Sequence, residues 1–513
     1  MIKRILFIAF VFFSSSILLA QTTITGTVKD AKTGDLLPGA NIKITGKAVG
    51  TTTDFDGNFT LKTTEKPPFT IEISMLGFKT TKVEITKNRQ KVEVTITENA
   101  TSLDEIVVSA SRTPERIMES PVTIERLDAR AIKNTSAVSF YDGLENLKGV
   151  DVNTNSLTFK SVNTRGFATF TNTRFMQLVD GMDNSSPALN FALGNLLGMS
   201  ELDVKTVELL PGASSALYGA NAFNGIMFMT SRNPFDDQGI SVSYKTGVMM
   251  QQAGGDNMFY DTSIRMAYAF SEKFAAKATL SYLKGTEWYA TDYRNTKDGK
   301  YAPGTRETDL AYDGLNVYGD EVATNIGAAA GIGIVPNVVV SRTGYNEIDL
   351  MSYDDTKSLK FNGSLNYRPY GNDKLEISWN SKFGMGNTIY QGLNRYNIKN
   401  FFMEQHKLEV RGTTFFVRGY MTNEDAGDSY DTRFAAININ RAWKSDADWF
   451  GTYINTYAGA SFSGATSEQA HAAARAAAEN GRLLPGTSGF IAAFNKVTSD
   501  PNLVTGSKFQ DNT

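Results

Sequence analysis

A chain of 513 residues with 51 basic and 54 acidic side chains carries a formal net charge of -3 and has no cysteine. That length implies two to four domains, the charge balance excludes non-specific polyanion binding, so no nucleic-acid partner is expected, and the missing thiols exclude disulfides and thiolate chemistry. His406 and His471 are the only histidines, so zinc or triad chemistry has little to draw on and no catalytic residue, cofactor or metal is expected.

In chain order, Lys3 and Arg4 precede an apolar run from Ile5 to Phe13, a serine break at Ser14 to Ser16, and Ile17 to Ala20 before Gln21. This pattern is that of a secretory signal peptide over residues 1–20, too short to be a membrane span. A buried N-terminal helix is the competing reading. Beyond residue 20 no run of roughly eighteen apolar residues occurs, which leaves a β-barrel as the only spanning structure available.

Residues 22–98 alternate in short runs, among them Ile24 and Val28, Ile42 and Ile44, Phe59 and Leu61, Ile71 and Ile73, and Val92, Val94 and Ile96. Period two with frequent turn residues predicts a small antiparallel sandwich. Asp54 to Phe59 has part of a calcium-loop pattern but lacks the twelfth-position glutamate, so a hairpin turn with Gly57 at positive φ is expected instead. The runs Gly26-Thr27-Val28-Lys29-Asp30, Leu37-Pro38-Gly39-Ala40 and Thr53 to Phe59, closing with Gly77-Phe78-Lys79, resemble the carboxypeptidase-regulatory-like domain, a transthyretin-type fold without a catalytic site.

A connector over 99–114 holds an acidic pair and a β-branched run. Such a segment either finishes the sandwich or adds itself as a strand to the open sheet edge of a partner. Its residues Asp104, Glu105, Ile106, Val107, Val108, Ser109 and Ala110 resemble the energy-coupling box of TonB-dependent outer-membrane receptors. The resemblance implies the periplasmic end of the TonB complex as a partner.

Residues 115–235 mix helical and strand patterns. Val138, Tyr141, Leu144 and Leu147 fall on one helix face, with Ser136 or Ser139 as cap. Three motifs, Thr164-Arg165-Gly166-Phe167, Leu178-Val179-Asp180-Gly181-Met182 and Val207 through Pro211-Gly212, Tyr218-Gly219 and Gly225, resemble the plug domain of the same family. They are not a phosphate loop, since no Gly-Lys-Ser or Gly-Lys-Thr follows. The resemblance implies that Arg165, Gly166, Asp180, Gly181, Gly212, Tyr218, Gly219 and Gly225 shape the plug. It also implies that the apical turns, Thr169, Phe170, Thr171 and Asn172 together with Asn184, Asn190, Phe191 and Asn195, face a ligand. Packing of Phe170 and Phe191 against loops is the alternative.

Residues 236–513 read as about seven strands with apolar-out, polar-in alternation: from Gly239, around Ile264 to Phe270, Phe274 to Tyr282, Leu359 to Tyr367, Leu375 to Phe383, Phe401 to Arg411 and Thr413 to Thr422. Short turns alternate with long connections at Gln251 to Asn257, across some seventy residues after the third strand, and around Gly386 to Asn400, as in an outer-membrane barrel. Tyr282, Trp288, Tyr367 and Trp379 suit an interfacial girdle. His406 and Glu409 match a zinc spacing but point to opposite faces of a strand. The acidic loop Glu307, Asp309, Asp313, Asp320, Glu321, Asp354 and Asp355 is expected to be solvated rather than to hold calcium. Ala472 to Glu479 is a helical patch in the last loop.

The fold class expected is mainly β: a transthyretin-like sandwich, an α+β plug and the first strands of an antiparallel transmembrane barrel. The resemblance implies a plug-gated importer in the outer membrane that binds a small molecule, glycan or peptide. A signalling or adhesion receptor and a secreted carbohydrate-binding β protein are the other readings. A surface lipoprotein is a further candidate partner, although Val107-Val108-Ser109-Ala110 lacks the Val-Gly-Tyr-Gly continuation of the lipoprotein-lidded branch. Large transporters close with about 22 strands, so the sequence reads as the front part of a longer receptor.

Overall fold

The computed structural model describes residues 22–97, 106–107, 115–116, 120–500 and 507–508, without residues 48, 76, 121, 136, 167–172, 188–190, 220, 298 and 393. The expected signal peptide lies outside the described residues. The chain divides into two compact units, which are described separately.

The first unit is a sandwich of β1 (Thr22–Asp30), β2 (Asn41–Ile44), β3 (Gly50–Thr52), β4 (Asn58–Thr63), β5 (Phe69–Ser74), β6 (Thr81–Ile85) and β7 (Lys91–Ile96). Its sheets run β4-β1-β7 and β3-β2-β5-β6. Alternate residues of each strand supply the core, including Ile24, Val28, Ile42, Leu61, Ile71, Ile73 and Val94. Strand β1 tolerates no side chain at residue 26, because a Cβ there would overlap the Val92 carbonyl and the Phe59 ring. The turn before β4 is built by Asp54, whose carboxylate accepts from Asp56 N at 3.0 Å and Asn58 N at 2.8 Å, with Gly57 at φ 68°. Both donors reach its Oδ1, which thus closes an Asx turn.

In the connector, β8 (Ile106–Val107) pairs with β9 (Glu115–Arg116). Asp104, Glu105, Val108, Ser109 and Ala110 lie outside the described residues.

The second unit begins with a sheet of β10 (Glu125–Asp128), β13 (Phe175–Val179), β14 (Met182–Asp183), β15 (Val204–Pro211) and β16 (Gly225–Ser231), beside the hairpin of β11 (Val150–Thr154) and β12 (Lys160–Thr164). The order is β10-β15-β16-β13-β14, with β13 and β16 parallel. The expected helix is a 3-10 helix over Phe140–Asn146, capped by Ser139, and its Tyr141 and Leu144 are fully buried in the plug core. A short helix α1 (Ala129–Lys133) precedes it and α2 (Ser215–Tyr218) follows β15.

A sheet of seven consecutive antiparallel strands wraps this module: β17 (Gly239–Gln251), β18 (Gly255–Ala269), β19 (Phe274–Gly285), β20 (Thr356–Tyr367), β21 (Leu375–Gln391), β22 (Arg395–Gly412) and β23 (Phe416–Asp425). Ile240, Val242, Tyr244, Tyr282, Tyr367 and Trp379 are exposed on its outer face, while Arg265, Lys277, Thr279, Ser281 and Lys360 are buried on its inner face. Polar residues are buried there because the plug covers them. Among the described residues no helix is long and apolar enough to cross a membrane, so a crossing by this unit would use strands.

Two connections expected to be long loops are short. Residues 252–254 join β17 to β18, and residues 392–394 join β21 to β22. The stretch expected as a loop around Gly386 to Asn400 is ladder instead, with Thr388 opposite Ile398 and Tyr390 opposite Tyr396. Its β-branched and aromatic residues favour strand and find a packing partner in the plug.

The two long excursions are folded. Residues 286–355 hold three short strand pairs and helix α3 (Ile326–Ala330). After β23, α4 (Thr432–Trp443), α5 (Asp446–Phe462), α6 (Ser467–Glu479) and α7 (Ser488–Ser499) pack on that excursion through Trp449, Tyr453, Tyr345 and Phe490. The alanine patch is therefore one helix of four, closed at its start by the Thr466–Gln469 capping box. The acidic excursion is also not uniformly solvated. Asp320 is buried, and Glu347 is buried while accepting from the Tyr318 and Tyr353 hydroxyls at 2.8 Å and from Arg395 at 3.1 Å.

Candidate functional site

The plug motifs fold onto one another. Arg165 and Gly166 take left-handed backbone at φ 57° and 74°, which turns the chain after β12. The Arg165 guanidinium then lies over Gly212, where a Cβ would sit 2.7 Å from its Nη1. Thr164 and Asn224 lock the two segments: Asn224 Oδ1 accepts from Thr164 N at 3.1 Å, and the Thr164 hydroxyl accepts from Gly212 N at 3.1 Å and bonds the Asn224 carbonyl. Gly219 ends α2 at φ 95°, Tyr218 packs edge-on against Phe228, and Gly225 lies against the Phe175 ring.

A second turn, Asp180 at φ 48° and Gly181 at φ 79°, meets the barrel wall. Lys407 donates to the Asp180 carbonyl at 2.9 Å, and Arg418 donates to the Gly181 carbonyl at 3.3 Å. Arg418 is itself held by Glu409 at 2.6 Å. Burial pushes the Asp180 carboxyl up, but Lys407, Lys277 and hydrogen bonds from Ser231 outweigh it and hold it below the usual carboxylate range.

The same wall grips the plug elsewhere. Asp203 receives Arg265 Nε at 2.8 Å on one oxygen and Lys277 Nζ at 2.8 Å on the other. Glu201 pairs with Lys245 at 2.6 Å, Ser186 donates to Glu424 at 2.6 Å, and Lys360 donates to the Asn195 side-chain oxygen at 3.0 Å. Apolar contacts alternate with these. The inward faces of Gly285, Gly384 and Gly386 form sockets for Leu157, Leu197 and Leu196, and a Cβ at any of the three would overlap its leucine.

At the end of the sheet that carries the excursions, the β11–β12 turn reaches Glu287. Its fully buried carboxylate accepts from Leu157 N at 2.8 Å and the Thr356 hydroxyl at 3.0 Å, with Thr388 at 3.5 Å. Burial pushes this carboxyl up to about 7, against those donors and the more distant Arg395. Beside it, Phe191 stacks on Tyr390 with centroids 3.9 Å apart, Phe159 meets both rings edge-on, and Tyr396 continues the stack.

Of the residues expected to face a ligand, Thr169, Phe170, Thr171, Asn172 and Asn190 lie outside the described residues. Asn184, Phe191 and Asn195 are buried against the wall, Asn184 held by Lys382. Their placement corrects the expectation of an open apex at these three positions, because Lys382, Tyr390 and Lys360 occupy their outward sides. His406 bonds Ser381 at 2.9 Å, whereas Glu409 takes Arg418, so the zinc spacing brings together no ligand pair. Glu287 and Asp203 were not singled out by sequence. Each is one acid among 54, and its partners lie far away in the chain.

The CarboxypepD_reg-like domain profile matches residues 24–108, and the TonB-dependent Receptor Plug Domain profile matches residues 116–226. The chain is 28% identical over 252 residues to the TonB-dependent receptor SusC of Bacteroides thetaiotaomicron, covering 48% of this chain and 24% of that protein. The chain thus carries the regulatory-like domain and the plug domain found in TonB-dependent receptors. The chain is also 28% identical over 233 residues to the TonB-dependent receptor P39 of Formosa agariphila, covering 44% of the chain and 21% of that protein. The aligned part thus spans under a quarter of either relative. A crystal structure of a ferric enterobactin receptor mutant from Pseudomonas aeruginosa aligns at TM-score 0.39 and 13% identity, over 62% of this chain and 42% of that chain.

Proposed function

We propose that the receptor is an outer-membrane importer whose plug occludes the barrel, docks a ligand at the end bearing the two excursions, and is moved from the other side by the TonB complex acting on Asp104 to Ala110. It carries no catalytic step. The observation that supports this reading most is the plug seat: the buried charges of the inner wall are met by plug carboxylates, carbonyls and amides, while the outer wall is apolar. An amphipathic sheet lined on its polar face by a plug suits a gated passage through lipid. In sequence the coupling box lies between the sandwich and the plug, a position from which a tether can add to a partner's sheet edge.

Deletion of Asp104 to Ala110 should abolish uptake and leave surface binding of the ligand intact. Unchanged uptake would sink the importer reading and favour a receptor that signals or adheres. The protein should fractionate with the outer membrane and need detergent for extraction, whereas solubility without detergent would favour a secreted protein. Growth of a deletion strain on defined iron, vitamin and glycan sources identifies the substrate class.

A further inference from the structure

The inner face of the seven-stranded wall is unevenly charged. Arg265, Lys277, Lys360, Lys382 and Lys407 are buried on it, one on each strand from β18 to β22. Lys245 on β17 and Arg418 on β23 continue the series, the first reaching Glu201 of the plug and the second the Gly181 carbonyl. Every strand of the wall thus turns a cation toward the plug. The ladder sets each within two to four residues of its neighbour's register, and strands lie about 4.8 Å apart, so the seven form one staggered arc.

The wall's own carboxylates do not balance this arc. Asp261, Glu376, Glu409 and Glu424 are the four on the same face of these strands. Two of them are shared with further cations at the rim, Glu376 holding Arg368 at 2.7 Å and Glu409 holding Arg411 at 2.8 Å beside Arg418 at 2.6 Å. The plug makes up the difference, since Asp203 takes Arg265 and Lys277 while Glu201 takes Lys245. Lys360 and Lys382 form no ion pair among the described residues. Lys360 donates to oxygens of Asn195, and Lys382 to the side-chain oxygens of Asn184 and Gln405.

We infer, resting on the importer reading, that the passage along this wall favours anions and that the carried solute bears carboxylate, sulfate or phosphate groups. When plug segments leave the wall, the carboxylates of Asp203 and Glu201 leave with them. The cations stay, because strand alternation fixes them on the inner face. Lumen-facing charge of one sign sets which ions a barrel or pore admits. An anionic solute then takes up, cation by cation, the counter-charge that the plug supplied.

The whole protein is inserted into planar bilayers under a KCl gradient, with urea added to unfold the plug, and the reversal potential gives the ratio of chloride to potassium permeability. A ratio above one is expected, falling at least twofold in Lys360→Gln/Lys382→Gln. Neither lysine holds a plug carboxylate, and circular dichroism with the conductance of a single open barrel separates lost charge from lost fold. Lys284→Gln, on the exposed outer face of β19, should leave the ratio unchanged. Galacturonate in place of chloride should also carry current and lose it in the double variant; current with chloride alone would overturn the substrate class. A preference for potassium, or equal ratios in wild type and double variant, would overturn the cationic passage and leave the importer reading standing. No conductance with the plug unfolded would sink the importer reading itself, and the passage with it.

Discussion

Asp203 shows how much one side chain carries at the plug seat. It balances Arg265 and Lys277, both buried, and Lys277 also donates to Ser231 and the Arg232 carbonyl. Asp203→Asn leaves two buried cations with one neutral partner, and breaking a buried network of this kind costs about 3–5 kcal/mol. We expect a matching fall in the free energy of unfolding of the detergent-solubilised protein, and Asp203→Glu to recover part of it. Glu287 acts in the opposite electrostatic sense, because its folded form favours the proton. Its pKa rises from 4.5 to about 7, so its contribution is fully present below about 4.5 and is lost as pH rises to about 7. The unfolding temperature should fall between pH 5 and pH 8, and Glu287→Gln should flatten that slope. Glu321, which burial also pushes up to about 7, titrates in the same window, so Glu287→Gln/Glu321→Gln should flatten it further. A wild-type slope unchanged in the double variant would remove both carboxyls from the account. Neither Asp203 nor Glu287 is conspicuous in the sequence, since burial and partners 62 to 130 residues away give each its role.

At the scale of elements, the fit of plug to wall depends on glycines placed inside strands. Gly285 in β19 and Gly384 and Gly386 in β21 weaken those strands on propensity grounds, yet each admits a plug leucine where any Cβ would overlap it. Gly384→Val should cost about 1–3 kcal/mol through overpacking, and Leu197→Ala in the same chain should recover part of it by making room. Limited proteolysis of the plug reads the effect, and additive losses in the double variant would show that the two sites do not share a socket. The strands themselves were legible, because period-two alternation is local: Ile240, Val242 and Tyr244, or Phe274, Leu280 and Tyr282, declare one face without their neighbours. The sandwich was legible for the same reason. The upper half of the β21–β22 hairpin was not, since Asn387, Asn394 and Gly392 read as a loop while the Tyr390–Tyr396 pairing depends on Phe191 of the plug. The four C-terminal helices were legible only at the alanines of α6. The burial of Trp449 and Tyr453 that organises them depends on Ile326 and Val340 of the preceding excursion.

Across the whole molecule, the chain joins a plug to its wall through contacts that must let go if anything passes. The polar pairs at Asp203, Asp180 and Glu201 lie along the wall, and the Leu157 turn and the Phe191–Tyr390 stack lie at the end bearing the excursions. In the proposed function a pull on Asp104 to Ala110 would enter the plug sheet at its edge strand β10, whose partner in that sheet is β15. The segments around Leu157 and Leu196 are fixed instead by sockets and by Ser358, which donates to the Leu196 carbonyl at 2.6 Å. Whether the fixed end moves during the proposed import is open to a direct test because the chain has no cysteine. Ser156 Oγ and Thr388 Oγ1 lie 2.9 Å apart, plug against wall, close enough for a disulfide once both are replaced. Ser156→Cys/Thr388→Cys, oxidised in the membrane, should keep ligand binding at the surface. If the Leu157 turn must leave the wall, uptake falls to the level of the box deletion and returns with reductant, while each single variant transports normally. If the passage opens only on the β10 side, the oxidised double variant transports as wild type and the Glu287 contact stays closed throughout the cycle.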